Sequence, residues 1–217
     1  MALLTDTTVG KKAVMAVTGI VLLIYVTAHM LGNLKAFFGA GSLDGYGRWL
    51  RSILEPVFGH EGILWLVRAV LVASVVLHMV AATQLARRAH AARPVGYQHR
   101  SRVQGSYAAR TMRWGGVIIA LFVVYHVLDL TTGTLNPHGV QGEIYRNVTA
   151  DFQHWYVVLA YTAAVLALGF HLWHGVWSAL RSLGVTAVGR HVAFGYAVGI
   201  TVGFLSVPYA VLFGVIQ

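Results

Sequence analysis

Long apolar runs alternate with short polar stretches along the whole chain. The runs cover about residues 13–38, 63–85, 112–132, 153–180 and 192–213. Each reaches the roughly 20 residues that a helix needs to cross a hydrocarbon core about 30 Å thick. The pattern predicts an all-α integral membrane protein with five transmembrane helices, residues 1–217 forming one domain. The first run follows Lys11 and Lys12 but continues too far for a signal peptide. It leads into Gly32-Asn33-Leu34-Lys35 rather than a small-residue cleavage site, so it is expected to be an uncleaved span. Between spans I and II lies AGSLDGYGRWLRSILEPVFGHEG, whose Trp49 and Phe58 suit a membrane interface and which is expected to hold a short interfacial helix.

Composition agrees with this pattern. Of 217 residues, 57% are hydrophobic and 11% charged, too little charge for the surface of a soluble domain. The net charge of +9 does not point to nucleic acid, because the basic residues follow the membrane topology. Lys11, Lys12, Arg87, Arg88, Arg93, Arg100, Arg102, Arg110, Arg113, Arg181 and Arg190 fall at the N-terminus and in the II–III and IV–V loops. Only Lys35, Arg48, Arg51 and Arg146 fall in the other two loops. Basic loops stay on the cytoplasmic side, which predicts a cytoplasmic N-terminus and an external C-terminus. With no cysteine, the chain has no disulfide, thiolate metal site or iron–sulfur cluster of its own. In span V, Gly195, Gly199 and Gly203 form a small-residue ridge expected to admit a neighbouring helix. Pro208 is expected to kink that span near its outer end.

The chemistry lies in the histidines. An ionisable side chain inside a membrane span is costly and marks function. Spans I, II and III carry His29, His78 and His126, and span IV carries His171 with His174 three residues on. At about 1.5 Å of rise per residue, His29 and His126 lie about 21–25 Å from the cytoplasmic edge, and His78 and His171 lie near the cytoplasmic side. Spans I and III thus offer one pair of imidazoles and spans II and IV another, about 15 Å apart in depth. Imidazole is a common axial ligand of haem iron, and bis-imidazole ligation leaves no open position, which suits electron transfer. The expectation is two b haems within the first four helices; His174 stays open as the span IV ligand. His60 is expected to be a polar edge group, and His90, His99, His138, His154 and His191 solvated.

The chain resembles the b558-type, two-haem, five-helix cytochrome b subunit of succinate dehydrogenase and fumarate reductase. The resemblance rests on AVMAVTGIVLLIYVTAHMLGNLKAFFG, DGYGRWLR, LHMVAATQLARRA, GGVIIALFVVYHVLDL and FHLWHGVWSALRSLGV, in that order and spacing. It implies haem ligation by His29 with His126 (outer haem) and by His78 with His171 (inner haem), and favours His171 over His174. It also implies a flavoprotein with FAD and an iron–sulfur subunit on the cytoplasmic side of a bacterial cytoplasmic membrane. Electrons from succinate would then reach a quinone, menaquinone in many two-haem members. Asn33, Lys35, Glu61, Arg68 and Asp129 are the polar candidates for the quinone pocket, with Arg68 able instead to pair with Glu61. Trp177 and Arg181 are candidates for propionate contacts. Some fumarate-reducing relatives carry a glutamate two residues before the span IV ligand; Gly169 stands there, which favours succinate dehydrogenase. Whether the three-subunit complex assembles further stays open. The competing readings are a cytochrome b subunit of another respiratory oxidoreductase and a histidine-based proton channel or transporter.

Overall fold

The computed structural model describes residues 7–92, 107–185, 187 and 189–217. Most of the described residues are helical, and none of them is in a strand. Five helices are long and apolar enough to cross a membrane: α1 (Thr8–Asn33), α4 (Gly62–Ala91), α5 (Tyr107–His126), α7 (Trp155–Ser182) and α8 (Arg190–Leu212). Three shorter ones, α2 (Ala40–Ser52), α3 (Glu55–Phe58) and α6 (Ile144–Phe152), join them at one end. Arg93, Arg100 and Arg102 of the basic II–III segment lie outside the described residues.

Helix ends depart from the hydropathy limits where local chemistry outlasts the apolar run. α1 starts at Thr8 because the Thr7 hydroxyl accepts the Gly10 amide at 2.9 Å, a side-chain N-cap. α4 continues through Arg87 and Arg88 to Ala91, since arginine and alanine are strong helix formers that need no lipid. α1 passes into a 3₁₀ turn at Leu34–Phe38, and Gly39 at φ 82° redirects the chain into α2. α5 ends in a π turn, Val127–Thr131, in which the Thr132 amide reaches back to the Val127 carbonyl at 2.9 Å.

α1 packs against α4 and α7, and α5 packs against α7. The four helices therefore form a horseshoe in the order α4, α1, α7, α5, while α4 and α5 at its two ends do not pack closely. α8 closes the back against α7 and α1. It buries Ala193, Ala197, Ile200, Val207 and Val211, spaced three, four and seven residues apart on one face. Of the glycine ridge in span V, only Gly203 meets a neighbour. A Cβ there would collide with the Met30 thioether, whereas Gly195 and Gly199 face open space. α8 runs through Pro208 to Leu212.

Outside the core, the long helices present Leu66, Val70, Val76, Leu121, Val124, Leu159, Val198 and Val202 outward, an apolar surface fit for lipid. Trp49 and Phe58 are also exposed.

Candidate functional site: paired imidazoles across a helix horseshoe

The two histidine pairs lie across the diagonals of the horseshoe. The ring centres of His29 (α1) and His126 (α5) are 5.7 Å apart, and those of His78 (α4) and His171 (α7) are 6.3 Å apart. Neither α1 with α5 nor α4 with α7 packs closely, so each pair reaches across space between backbones. His174 points elsewhere: its ring lies 6.3 Å from that of Trp177.

The surroundings orient three of these four rings. His78 Nδ1 lies 3.1 Å from the Met15 carbonyl and 3.2 Å from the Thr18 hydroxyl, whose own proton goes to the Val14 carbonyl at 2.7 Å. Nδ1–H is therefore the donor, and Nε2 keeps its lone pair. His126 Nδ1 lies 3.2 Å from the Tyr161 oxygen, and the Tyr161 hydroxyl donates to Asp129 Oδ2 at 2.9 Å. Here too Nδ1–H donates and Nε2 is free. A second partner that fixes the tautomer in this way is characteristic of metal-ligating histidine. His29 stacks on Tyr25, with ring centres 5.4 Å apart and planes 13° apart. His171 Nδ1 is buried without a hydrogen-bond partner.

At 5.7 and 6.3 Å between ring centres, each pair stands close enough for one metal ion to be held between two imidazole nitrogens. Space beside the rings is kept by glycine. A Cβ on Gly19 would lie 3.4 Å from His78 Cε1, and one on Gly116 would lie 3.8 Å from His171 Cε1. The donor set, the fixed tautomers and the bare backbone fit a planar metal macrocycle.

The polar residues singled out from sequence divide between two places. Arg51 donates to Glu61 at 3.0 Å, and Arg68 pairs with the other Glu61 oxygen at 3.6 Å while lying over the Trp65 ring. Lys35 lies over the Tyr46 ring at 5.7 Å, and Tyr25 sits within the fields of both Tyr46 and Arg68. Lys35, Tyr46, Tyr25, Arg68, Glu61 and Arg51 thus form one patch beside His29, close to the end of α1 that Asn33 closes. Asp129 stands apart, 2% exposed and facing α7 rather than this patch.

At the other end of the bundle, Trp177 lies between Arg181 and Arg190, at 5.5 and 4.5 Å from its ring centre. Among the remaining histidines, His60 pairs with Glu55 at 3.5 Å, and His138 and His154 stack on one another at 6.0 Å. At Gly169 a Cβ would collide with the Thr201 hydroxyl, so a larger residue needs α8 to give way.

Because Glu61, Arg51 and Arg68 all keep part of their side chains in solvent, the ion pairs contribute little. Glu61→Gln is expected to cost less than about 1 kcal/mol, read as a small shift in the thermal midpoint in detergent. A larger loss would make the triad a structural clamp.

Sequence reasoning missed Tyr161, Asp151, Tyr25, Tyr46, Thr18, Gly19 and Gly116, all of which act on the paired histidines or stand next to groups that do. No protein-family model matches this sequence, and no curated protein or solved structure is significantly similar to it.

Proposed function

We propose that this chain is the membrane-anchor cytochrome b subunit of a succinate:quinone oxidoreductase. The observation that carries the reading is the cross-pairing of four imidazoles from four helices, with Nδ1 tied down and Nε2 free at His78 and His126. Two b haems, when bound, supply one-electron carriers at two depths between a donor on one side of the membrane and a quinone near the other. His29 and His126 would hold one, His78 and His171 the other.

The protein's part is to fix the ligands and exclude water. Met15 and Thr18 hold His78 in one tautomer; Tyr161 and Asp129 do the same for His126. The basic residues at the N-terminus and in the II–III and IV–V loops orient the His78/His171 end toward the cytoplasm. There Trp177, Arg181 and Arg190 offer cationic groups to propionates, and a flavoprotein and an iron–sulfur subunit would dock. At the opposite end, Lys35, Arg68, Tyr25 and Tyr46 give donors to quinone carbonyls beside His29, and Asn33 and Glu61 border the same patch. Asp129 supports His126 rather than touching quinone. Menaquinone is the expected acceptor, as in the two-haem subunits that this chain resembles.

A reduced-minus-oxidised spectrum with a pyridine haemochrome count tests the reading. Two b haems per purified chain are the expected result. None would overturn it and leave a proton-conducting bundle as the alternative.

A further inference from the structure

Asp129 and Asp151 form a buried pair at the α2–α6 end of the bundle. Asp129 is carried inward by the π turn that follows His126, and Asp151 comes from the last turn of α6; they are 2% and 5% exposed. The two carboxyl groups are within hydrogen-bonding reach of each other. A hydrogen bond between two carboxyl groups requires one proton, because two carboxylates have only acceptors.

The neighbours decide which partner carries it. Asp129 accepts from the Tyr161 hydroxyl at 2.9 Å and also bonds Tyr125. Both hydroxyls can donate to its oxygens. Asp151 has no such support: its Oδ2 is buried with no partner. A charge there would be desolvated, whereas a neutral carboxyl can donate to Asp129. Burial and the adjacent Asp129 push Asp151 up to about 7. The elements around α6 also carry Tyr125, Tyr156, Tyr161, His154 and Tyr209 and, on α2, Tyr46, Arg48, Arg51 and Asp44, the last accepting the Tyr145 amide at 2.9 Å; α6 itself carries Tyr145 and Arg146. Among the described residues, neither Asp129 nor Asp151 makes an ion pair with a cation.

We propose that Asp151 and Asp129 are a proton-binding site, with the proton resident on Asp151, and that its occupancy is linked through Asp129 and Tyr161 to the oxidation state of the metal held by His126. The second half rests on the haem reading; the first does not. Reduction of a metal held by His126 would remove one positive charge a short hydrogen-bonded chain away, and Asp151, in those chains where its carboxyl is ionised, would take a proton from water in response. At most one proton would enter per electron, offsetting its charge inside the bundle. The site would thereby supply protons at the end where quinone is reduced.

Infrared spectroscopy of the full chain in detergent, in H₂O and D₂O, tests the first half. A protonated-carboxyl band is expected at pH 5, with loss of about half its intensity near pH 7, and it should vanish in Asp151→Asn. Absence of the band at pH 5 would overturn the proposal whatever the haem content. Asp151→Glu keeps a carboxyl and should keep a band, which guards against a variant that fails to fold. Spectroscopic redox titration between pH 6 and 8 tests the linkage. One haem potential should fall with pH, by up to about 59 mV for each tenfold drop in proton activity, and flatten in Asp151→Asn. In Tyr161→Phe the band should remain while the slope weakens. A band with two pH-independent potentials would overturn the linkage alone, and a band in a chain without haem would overturn the haem reading and keep the proton site.

Discussion

On the proposed reading, alanine at His126 is expected to reduce the haem content from two per chain to one, and alanine at His29 to remove the same haem. Alanine at His78 or His171 should remove the other, whereas His174→Ala should keep both. The expectation follows from the pairing: His126 faces His29 at 5.7 Å, His171 faces His78 at 6.3 Å, and His174 turns toward Trp177. Each pair offers two imidazoles, so loss of either would leave one ligand. The haemochrome count and the low-spin signal of six-coordinate iron are the readouts. Support groups should matter less. Tyr161→Phe leaves the His126 ring without its acceptor and should weaken retention of that haem 10–100-fold, the usual scale for an outer partner of a metal-ligating histidine. Loss of both haems in every histidine variant would mean that the chain needs both sites filled to fold.

Leucine at Gly116 should remove only the haem of the His78/His171 pair. A Cβ at that position already lies 3.8 Å from His171 Cε1, so the rest of a leucine side chain enters the space beside the ring. Gly19 is closer still to His78, at 3.4 Å, so Gly19→Ala makes ordinary contact and should be tolerated while Gly19→Leu should act like Gly116→Leu. Overfilling a packed site costs about 1–3 kcal/mol, enough to exclude the macrocycle without unfolding a five-helix bundle. Gly199→Leu, which meets nothing within 4 Å, is the control and should keep both haems. Equal loss in the control would assign these glycines to membrane insertion rather than to the site.

Asp151 also gives stability a pH dependence. Its carboxyl is raised from about 3.8 to about 7 in the fold, so the folded chain binds more protons than the unfolded chain between those values. Stability from this group is therefore full below pH 4 and lost as pH rises toward 7. Asp151→Asn should lack that component, seen as a flatter thermal midpoint from pH 5 to 8.

Much of the architecture was legible because membrane insertion writes itself into composition. Long apolar runs had to be helices, since only a helix satisfies its own backbone in hydrocarbon. Depth along a helix is a linear function of residue number, so the matched depths of His29 with His126 and of His78 with the histidines of span IV follow from counting. Helix ends were less legible. The Thr7 cap, the reach of α4 past Arg88 and the break between α6 and α7 at Gln153 and His154 depend on local hydrogen bonding that hydropathy does not record.

The partners of the histidines lay beyond sequence reasoning. Tyr161 and Asp129 are 32 positions apart, and Thr18 and His78 are 60 apart. Nothing in one helix states which face meets another, because lipid and protein are equally acceptable to an apolar side chain. Gly199 and Gly203 show the same limit: both belong to one ridge, and only Gly203 is used. Sequence by itself determined five apolar helices, their order and the levels of four imidazoles, since these follow from hydrocarbon thickness and helical rise. Tertiary structure alone decided the horseshoe, which brings His171 rather than His174 to His78, and the buried Asp129–Asp151 pair, since both depend on how helices rotate against one another.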